Sequence, residues 1–200
     1  MRLPADQRRQ QLLDVARDVF AEGGFHATSM DDVAVRAGVT KPVLYQHFPS
    51  KRALYVELLK DTGDQLLRAL EQATQRVSSG RERVEEGFAA YFHFVVSNRS
   101  AFRLLFGASM RNDPEFARIG EATIAAAVDA ISTLIDIPAS AEQRTVLANA
   151  LVGMAESVSR RAIHDPDAED DADRLARWVA ELAWFGLRGV RADEHATPAR

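Results

Sequence analysis

Two lysines lie where the sequence predicts the start of a helix. Residues 40–51 read TKPVLYQHFPSK, with Lys41 and Lys51 near the ends and a proline close to each. The N-terminal end of a helix carries a partial positive charge, so a cation there is mildly unfavourable. Free backbone N–H groups and basic side chains at such an end together bind phosphate. A single exposed lysine costs little anywhere, so the surrounding elements decide whether these two lysines face an external anion.

Two helices are predicted before this stretch. The first runs from about Asp6 to Glu22 and ends at Gly23-Gly24, because glycine readily takes the left-handed conformation that ends a helix. The second is short and ends at Gly38. Ser29 is predicted to cap it, with Asp32 three residues later in a variant of the capping box.

The stretch itself is predicted to be a third short helix. Thr40 is a good N-cap residue, and Pro42 then falls in the first helical turn, where its missing N–H breaks no hydrogen bond. Pro49 ends this helix, and Ser50 caps the next one. A tight turn joins the second and third helices, which is typical of a helix-turn-helix unit.

The remainder of the chain also has helical periodicity, and no segment shows the sustained alternation of a strand. A long helix continues from Ala53 to a break near residue 78, and five further helices are predicted near Arg81–Ser97, Ala101–Met110, Pro114–Ile135, Ala141–Ile163 and Ala172–Val190. The fold is therefore predicted to be all-α. It comprises an N-terminal helix-turn-helix domain of three helices over residues 5–52 and a larger C-terminal helical domain over residues 53–193.

Composition narrows the classes of function. The 200 residues are 46% hydrophobic and contain no cysteine, which excludes disulfides, cysteine nucleophiles and cysteine-based zinc sites. The five histidines show no metal-ligand spacing, so we expect no metal and no cofactor. Neither a signal peptide nor a stretch of about 20 apolar residues is apparent, so a cytoplasmic protein without a membrane segment is expected.

The charge is unevenly distributed along the chain. Residues 1–60 contain 9 Lys and Arg against 7 Asp and Glu, whereas residues 61–200 contain 16 against 22. A surface that binds nucleic acid is therefore expected in the N-terminal part.

Two segments of that part resemble a known family. AGVTKPVLYQHFPSKRAL (residues 37–54) and the preceding FHATSMDDVA (residues 25–34) resemble the DNA-binding signature of the TetR, or tetracycline-repressor-type, transcriptional regulators. The resemblance covers about the first 55 residues; beyond them only the long helical architecture is similar. It implies a homodimeric regulator, a repressor by steric occlusion of a promoter, with operator DNA and a small apolar or amphipathic effector as partners.

Position by position, the resemblance implies a set of DNA contacts. Contacts to phosphates are implied for Thr28, Tyr45, His47 and Lys51, and positions facing the major groove are implied for Thr40, Lys41, Pro42 and Val43. Lys41 can donate to guanine, whereas Pro42 and Val43 can only pack on a thymine methyl group, so hydrogen-bonded readout is expected to be limited. Alternatively, Tyr45 is half-buried core with a hydrated hydroxyl, and His47 is a packed imidazole.

An aromatic cluster in the C-terminal domain is a candidate effector pocket. Apolar walls with a few polar groups are typical of small-molecule sites, and the resemblance implies such a pocket in this region. The predicted lining residues are Phe88, Phe92, Phe102, Arg103, Phe106, Asn149 and Met154. The alternative is that the aromatic residues are ordinary core.

The last two predicted helices carry a candidate dimer interface. A helix-turn-helix protein that reads a palindrome must dimerise through a self-complementary surface. The predicted interface residues are Leu147, Leu151, Val158, Leu175, Trp178, Val179 and Leu182. Packing within one chain is the alternative.

Two other classes of function are alternatives. An enzyme has little support, because neither H-E-x-x-H, nor G-x-S-x-G, nor a phosphate-binding glycine loop is present. A helical protein–protein adaptor, or an activator without a small-molecule ligand, is the alternative to the effector-controlled repressor. An adaptor would show no salt-sensitive affinity for duplex DNA.

Overall fold

The computed structural model describes residues 4–107, 112–164 and 171–191. These residues form nine α-helices and no strand, which confirms the all-α prediction. The helices are α1 Ala5–Ala27, α2 Met30–Arg36, α3 Lys41–His47, α4 Lys51–Gln75, α5 Gly80–Ser97, α6 Arg99–Phe106, α7 Pro114–Leu134, α8 Ala141–His164 and α9 Ala172–Gly189. Met110, predicted to end a helix, lies outside the described residues.

The chain divides into two compact units. The first is drawn from Met1–Asp64 and Asn98–Glu121, and the second from Gln65–Ser97 and Ala122–Arg200. The first unit thus contains the predicted helix-turn-helix helices together with α6 and the start of α7. The second contains α5, α8 and α9 with the remaining parts of α4 and α7.

The first unit has a core of aliphatic and aromatic side chains. Its fully buried side chains include Leu12, Phe20, Leu44, Phe48, Leu54, Tyr55, Leu58 and Phe116. Tyr55 of α4 lies at the centre of an aromatic cluster, with ring centroids 5.0 Å from Phe20, 4.9 Å from Phe25 and 4.7 Å from Phe116. Because these rings come from α1, α4 and α7, the cluster fixes the start of α4 against both other helices.

The second unit is built around the packing of α5 against α9. Phe88, Phe92 and Val95 of α5 are buried, as are Val179 and Ala183 of α9. Asp171 caps α9, because its carboxylate accepts a hydrogen bond of 3.1 Å from the Arg174 N–H.

No helix among the described residues is long and apolar enough to cross a membrane.

Candidate DNA-binding site

The helix-turn-helix is held by local hydrogen bonds that the sequence predicted. Ser29 caps α2 through a complete capping box: the Asp32 N–H donates to Ser29 Oγ over 3.1 Å, and the Ser29 N–H donates to Asp32 Oδ2 over 2.8 Å. The pKa of Asp32 is lowered first by the Ser29 hydroxyl, which donates to Asp32 Oδ2 over 2.7 Å, and then by the Ser29 N–H. Gly38, in the turn between α2 and α3, has φ of 65°, a left-handed conformation that favours glycine. Its neighbour Val39 donates to the Ala34 carbonyl over 3.0 Å, which closes the turn into α3.

The third helix has one buried face and one exposed face. Leu44 and Phe48 are buried beneath it. The exposed residues are Thr40, Lys41, Pro42, Tyr45 and Gln46. Val43 and His47 are half-buried. Thr40 occupies the N-cap position as predicted, but its side chain makes no capping hydrogen bond. The hydroxyl of Thr40 is therefore available to an external partner. Gln46 is a further exposed polar residue of α3 that the sequence prediction did not include.

Lys41 has a partner within the chain. Its Nζ lies 2.9 Å from Oδ1 and 3.0 Å from Oδ2 of Asp31, in the first turn of α2. The hydrogen bond and charge of Asp31 raise the pKa of Lys41. The pair places one donor and one acceptor side by side on the exposed surface where α2 and α3 begin.

The ammonium group of Lys51 lies on the C-terminal end of α1. It donates to the carbonyls of Phe25 at 2.8 Å, Thr28 at 2.9 Å and His26 at 3.3 Å, and it lies 4.6 Å from the centroid of the Phe25 ring. Carbonyls at a helix C-terminus carry partial negative charge and favour a cation. The structure thus gives Lys51 an internal role that accounts for a lysine at the start of α4, and contact of Lys51 with a phosphate stays a prediction.

The second basic residue at the start of α4 is also paired within the first unit. The guanidinium of Arg52 forms two hydrogen bonds of 2.9 Å with Asp113 and one of 2.7 Å with Glu115. It also lies over the Phe116 ring, 4.8 Å from its centroid. Arg52 thereby holds down the pKa of Asp113, which also accepts from the N–H groups of Glu115 and Phe116 and so caps α7.

Thr28 has a buried side chain. Its residue surface is 4% exposed, and its hydroxyl donates to the Val19 carbonyl over 3.3 Å. Gly23 makes room for this hydroxyl, because a Cβ at Gly23 would lie 2.7 Å from Thr28 Oγ1. α1 is kinked at the next residue, Gly24, with φ of 73°. This explains why the helix predicted to end near Glu22 continues to Ala27 after a kink. A phosphate contact by the Thr28 side chain would require a change of rotamer, because the hydroxyl is bonded to Val19 and the backbone N–H donates to the Gly24 carbonyl over 3.3 Å.

The residues predicted for the effector pocket belong to both units. In the second unit, Phe88 and Phe92 are buried with ring centroids 6.4 Å apart, Met154 is half-buried, and Asn149 is exposed with its amide on the Thr145 carbonyl. In the first unit, Phe102 and Phe106 lie 4.6 Å apart, and Arg103 is exposed.

Two polar side chains of the second unit were missed by the sequence prediction. The hydroxyls of Tyr91 and Ser159 are buried close to each other, and among the described residues neither has a partner at full hydrogen-bonding geometry. Burial raises the pKa of Tyr91, which the nearby Ser159 hydroxyl partly opposes. Both residues project from helices, α5 and α8, that pack against each other. Neither spacing nor residue type reveals such a pair before the two helices are packed.

The predicted dimer residues also differ in exposure. Trp178 and Leu182 are 59% and 65% exposed, whereas Leu151 and Val179 are each 8% exposed and already belong to the core of the chain. Leu147, Val158 and Leu175 are half-buried. Two further large apolar residues are exposed on the same two helices, Val146 at 62% and Phe185 at 63%. α8 and α9 therefore present apolar side chains that the described residues leave uncovered.

A short capped helix, α2, joined by a tight turn to α3, whose outer face is exposed, is the arrangement of a helix-turn-helix protein. Residues 12–58 match the model for bacterial regulatory proteins of the tetR family, and residues 80–186 match the model for a tetracyclin repressor-like C-terminal domain. This chain belongs to the TetR family of transcriptional regulators, a family of DNA-binding regulators and not of enzymes.

Proteins similar to this chain include a transcriptional activator and a transcriptional repressor. The transcriptional activator FasR of Mycolicibacterium smegmatis is 36% identical over 191 residues, which cover 94% of this chain and 87% of FasR. The transcriptional repressor KstR2 of the same organism is 28% identical over 185 residues, which cover 90% of this chain and 78% of KstR2.

Solved structures share the fold over nearly the full length. A TetR-like transcriptional regulator from Rhodococcus sp. RHA1 has a TM-score of 0.76 at 30% identity, covering 94% of this chain and 100% of that protein. FadR from Bacillus subtilis, solved in complex with stearoyl-CoA, has a TM-score of 0.76 at 16% identity, covering 91% of this chain and 99% of FadR.

Proposed function

We propose that this chain acts in the cytoplasm as a homodimer that binds a palindromic operator and represses transcription by occluding a promoter, until a small apolar effector releases it. The exposed face of α3 carries the proposal. Thr40, Lys41, Tyr45 and Gln46 project from a helix whose opposite face is buried. A helix presented in this way fits the major groove, where Lys41 would donate to guanine and Thr40 to either class of base.

Dimerisation is supported by the uncovered apolar residues of α8 and α9. Large apolar side chains that cluster on an exposed surface are typical of protein–protein contacts. The exposed members are better test positions than the buried ones, because a charge at Leu151 or Val179 would disrupt the core as well as an interface. Phe185→Glu should yield monomers in analytical ultracentrifugation. Ala130→Glu, at an exposed alanine of α7, is the matched control and should remain dimeric; dimers of both variants would place the interface elsewhere.

Effector control is supported by the aromatic interior of the second unit. Phe88 and Phe92 supply apolar surface, and the buried, neighbouring hydroxyls of Tyr91 and Ser159 could donate to a polar group of the ligand. The expected effector is mostly apolar with one or two acceptor atoms. By linkage, it can release DNA only if operator DNA weakens its binding by the same factor.

The effector proposal is tested on DNA that the protein itself selects. The protein is first used to enrich its preferred sequence from a random duplex library. The complex of the protein with that duplex is then titrated with a panel of apolar metabolites that includes stearoyl-CoA. A true effector should release DNA from the wild type and act less well on Phe92→Ala and Tyr91→Phe. Tyr91→Phe should change stability little, because the removed hydroxyl makes only a poorly aligned contact with the Ser159 hydroxyl. Equal release from all three proteins would place the effector pocket elsewhere.

Activation is the second candidate, favoured by the 36% identity to an activator. The same dimer would activate where its operator lies upstream of a promoter and repress where it overlaps one. Transcription in vitro distinguishes activation from repression, using one promoter with the selected site upstream and another with the site overlapping the promoter. A decrease in transcript at the overlapping site supports repression, and an increase at the upstream site supports activation.

A further inference from the structure

The ion pair between Lys41 and Asp31 joins the first turns of α3 and α2. Lys41 Nζ lies 2.9 Å and 3.0 Å from the two carboxylate oxygens, and the side chains are 54% and 60% exposed. An ammonium donor and a carboxylate acceptor thus stand side by side on the surface that is proposed to face DNA.

Folding accounts for Asp31 only in part, and general DNA affinity does not account for it. An acidic residue in the first turn of α2 is favoured by the positive end of that helix, but Asp32 already supplies such a charge and also makes the capping box. The exposed ion pair with Lys41 contributes little to stability. A carboxylate near DNA also weakens binding to every sequence, because it repels the phosphates. Its position beside Lys41 of α3 therefore calls for another explanation.

The edge of a G·C pair in the major groove complements this arrangement. Guanine presents N7 and O6 as acceptors, and the paired cytosine presents its N4 amino group as a donor. O6 and N4 are hydrogen-bonded to each other, so they lie about 3 Å apart, close to the separation of the lysine nitrogen and the carboxylate oxygens. An A·T pair offers Lys41 one purine acceptor next to an amino group, in place of two acceptors.

We propose that Asp31 is a specificity-determining residue that accepts a hydrogen bond from the N4 amino group of a cytosine whose paired guanine accepts from Lys41. Each half-site then contains one G·C pair read by two side chains from two helices. The proposal rests on the proposed function, because it requires that the start of α3 enters the major groove.

The test compares the sites selected by variants from a random duplex library. The wild type should enrich a palindrome with one strongly preferred G·C pair per half-site. Asp31→Ala and Asp31→Leu, which both lack an acceptor, should bind unrelated duplexes more tightly, while the preference at that one pair falls roughly fivefold or more. Glu22→Gln removes another exposed, ion-paired carboxylate of the same unit and should leave the preference unchanged.

The cytosine amino group is then tested directly. In the selected duplex, that cytosine is replaced by 2-pyrimidinone, which lacks the amino group. This replacement should weaken the wild type more than Asp31→Ala, since only the wild type loses a contact.

An equal effect on both proteins, or an unchanged base preference in the Asp31 variants, would overturn the inference while leaving DNA binding intact. Failure of the wild type to enrich any sequence would instead overturn the proposed function on which the inference rests.

Discussion

Replacing Lys51 with methionine removes an ammonium group that joins two helices and keeps most of the side chain's apolar length. The group donates to the carbonyls of Phe25 and Thr28 at 2.8 Å and 2.9 Å, and to the exposed carbonyl of His26 at 3.3 Å. A hydrogen bond to a charged group contributes about 1.5–3 kcal/mol net. The long, exposed third bond adds little.

The expected loss is smaller than the sum of the two short bonds. Lys51 is half-buried, and water can reach the freed carbonyls at the end of α1. We therefore expect Lys51→Met to lower the free energy of unfolding by about 2 kcal/mol. For a chain of this size, that corresponds to a fall in Tm of about 4–8 °C.

Lys60→Met is the matched control, because Lys60 is an exposed lysine of the same helix. Thermal unfolding followed by far-UV circular dichroism compares the two variants. Equal stability of Lys51→Met and Lys60→Met would refute the role of Lys51 in fixing the end of α1.

The same pair of variants tests the phosphate contact predicted for Lys51. Such a contact in each subunit of a dimer would lower the slope of log K against log salt by about 2. A slope that is unchanged in Lys51→Met would show that the ammonium stays on the carbonyls when DNA is bound.

Two further changes probe the first unit. Arg52 holds the pKa of Asp113 below its ordinary value of 3.8, so the stabilisation from this pair is complete above that pH and is lost as pH falls below it. When the free energy of unfolding is measured from pH 6 to pH 2, Asp113→Asn should lose less stability than the wild type. Equal losses of stability in the two proteins would contradict the assignment. Gly38 has φ of 65°, and no atom lies within 4 Å of a Cβ added there. Gly38→Ala should therefore lower the free energy of unfolding by about 1 kcal/mol through the backbone alone, and Gly38→Asn should lower it less. Equal Tm values for Gly38→Ala and the wild type would refute this.

Local features of the fold were predictable because their causes lie close together in sequence. The Ser29–Asp32 capping box, the cap at Ser50 and the turn at Gly38 each depend on residues within three or four positions. The predicted helices therefore match the observed ones to within a few residues along most of the chain.

The partners of the basic residues were not predictable in the same way. The groups that accept from Lys51 lie 23 to 26 residues away in sequence, and Arg52 pairs with Asp113 61 residues away. Helical periodicity shows that such residues are exposed or amphipathic, but not which element approaches them.

Periodicity also does not separate core from uncovered surface on α9. Trp178 and Val179 are neighbours of similar apolar character, yet only Val179 is buried. A helix with apolar residues on more than one side gives no indication of which side its own chain covers, and the dimer prediction therefore combined both kinds of residue.

The central claim is that two copies of the exposed α3 face bind one palindrome. The most direct measurement is the affinity for three duplexes, determined by fluorescence anisotropy at several salt concentrations. The three are the selected duplex, a duplex with one intact half-site and a scrambled duplex. We expect the full palindrome to bind at least 10³-fold more tightly than the scrambled duplex. The single half-site should lose most of that advantage, and all affinities should fall as salt rises. Equal affinity for all three duplexes, or affinity that does not respond to salt, would contradict sequence-specific binding by a dimer.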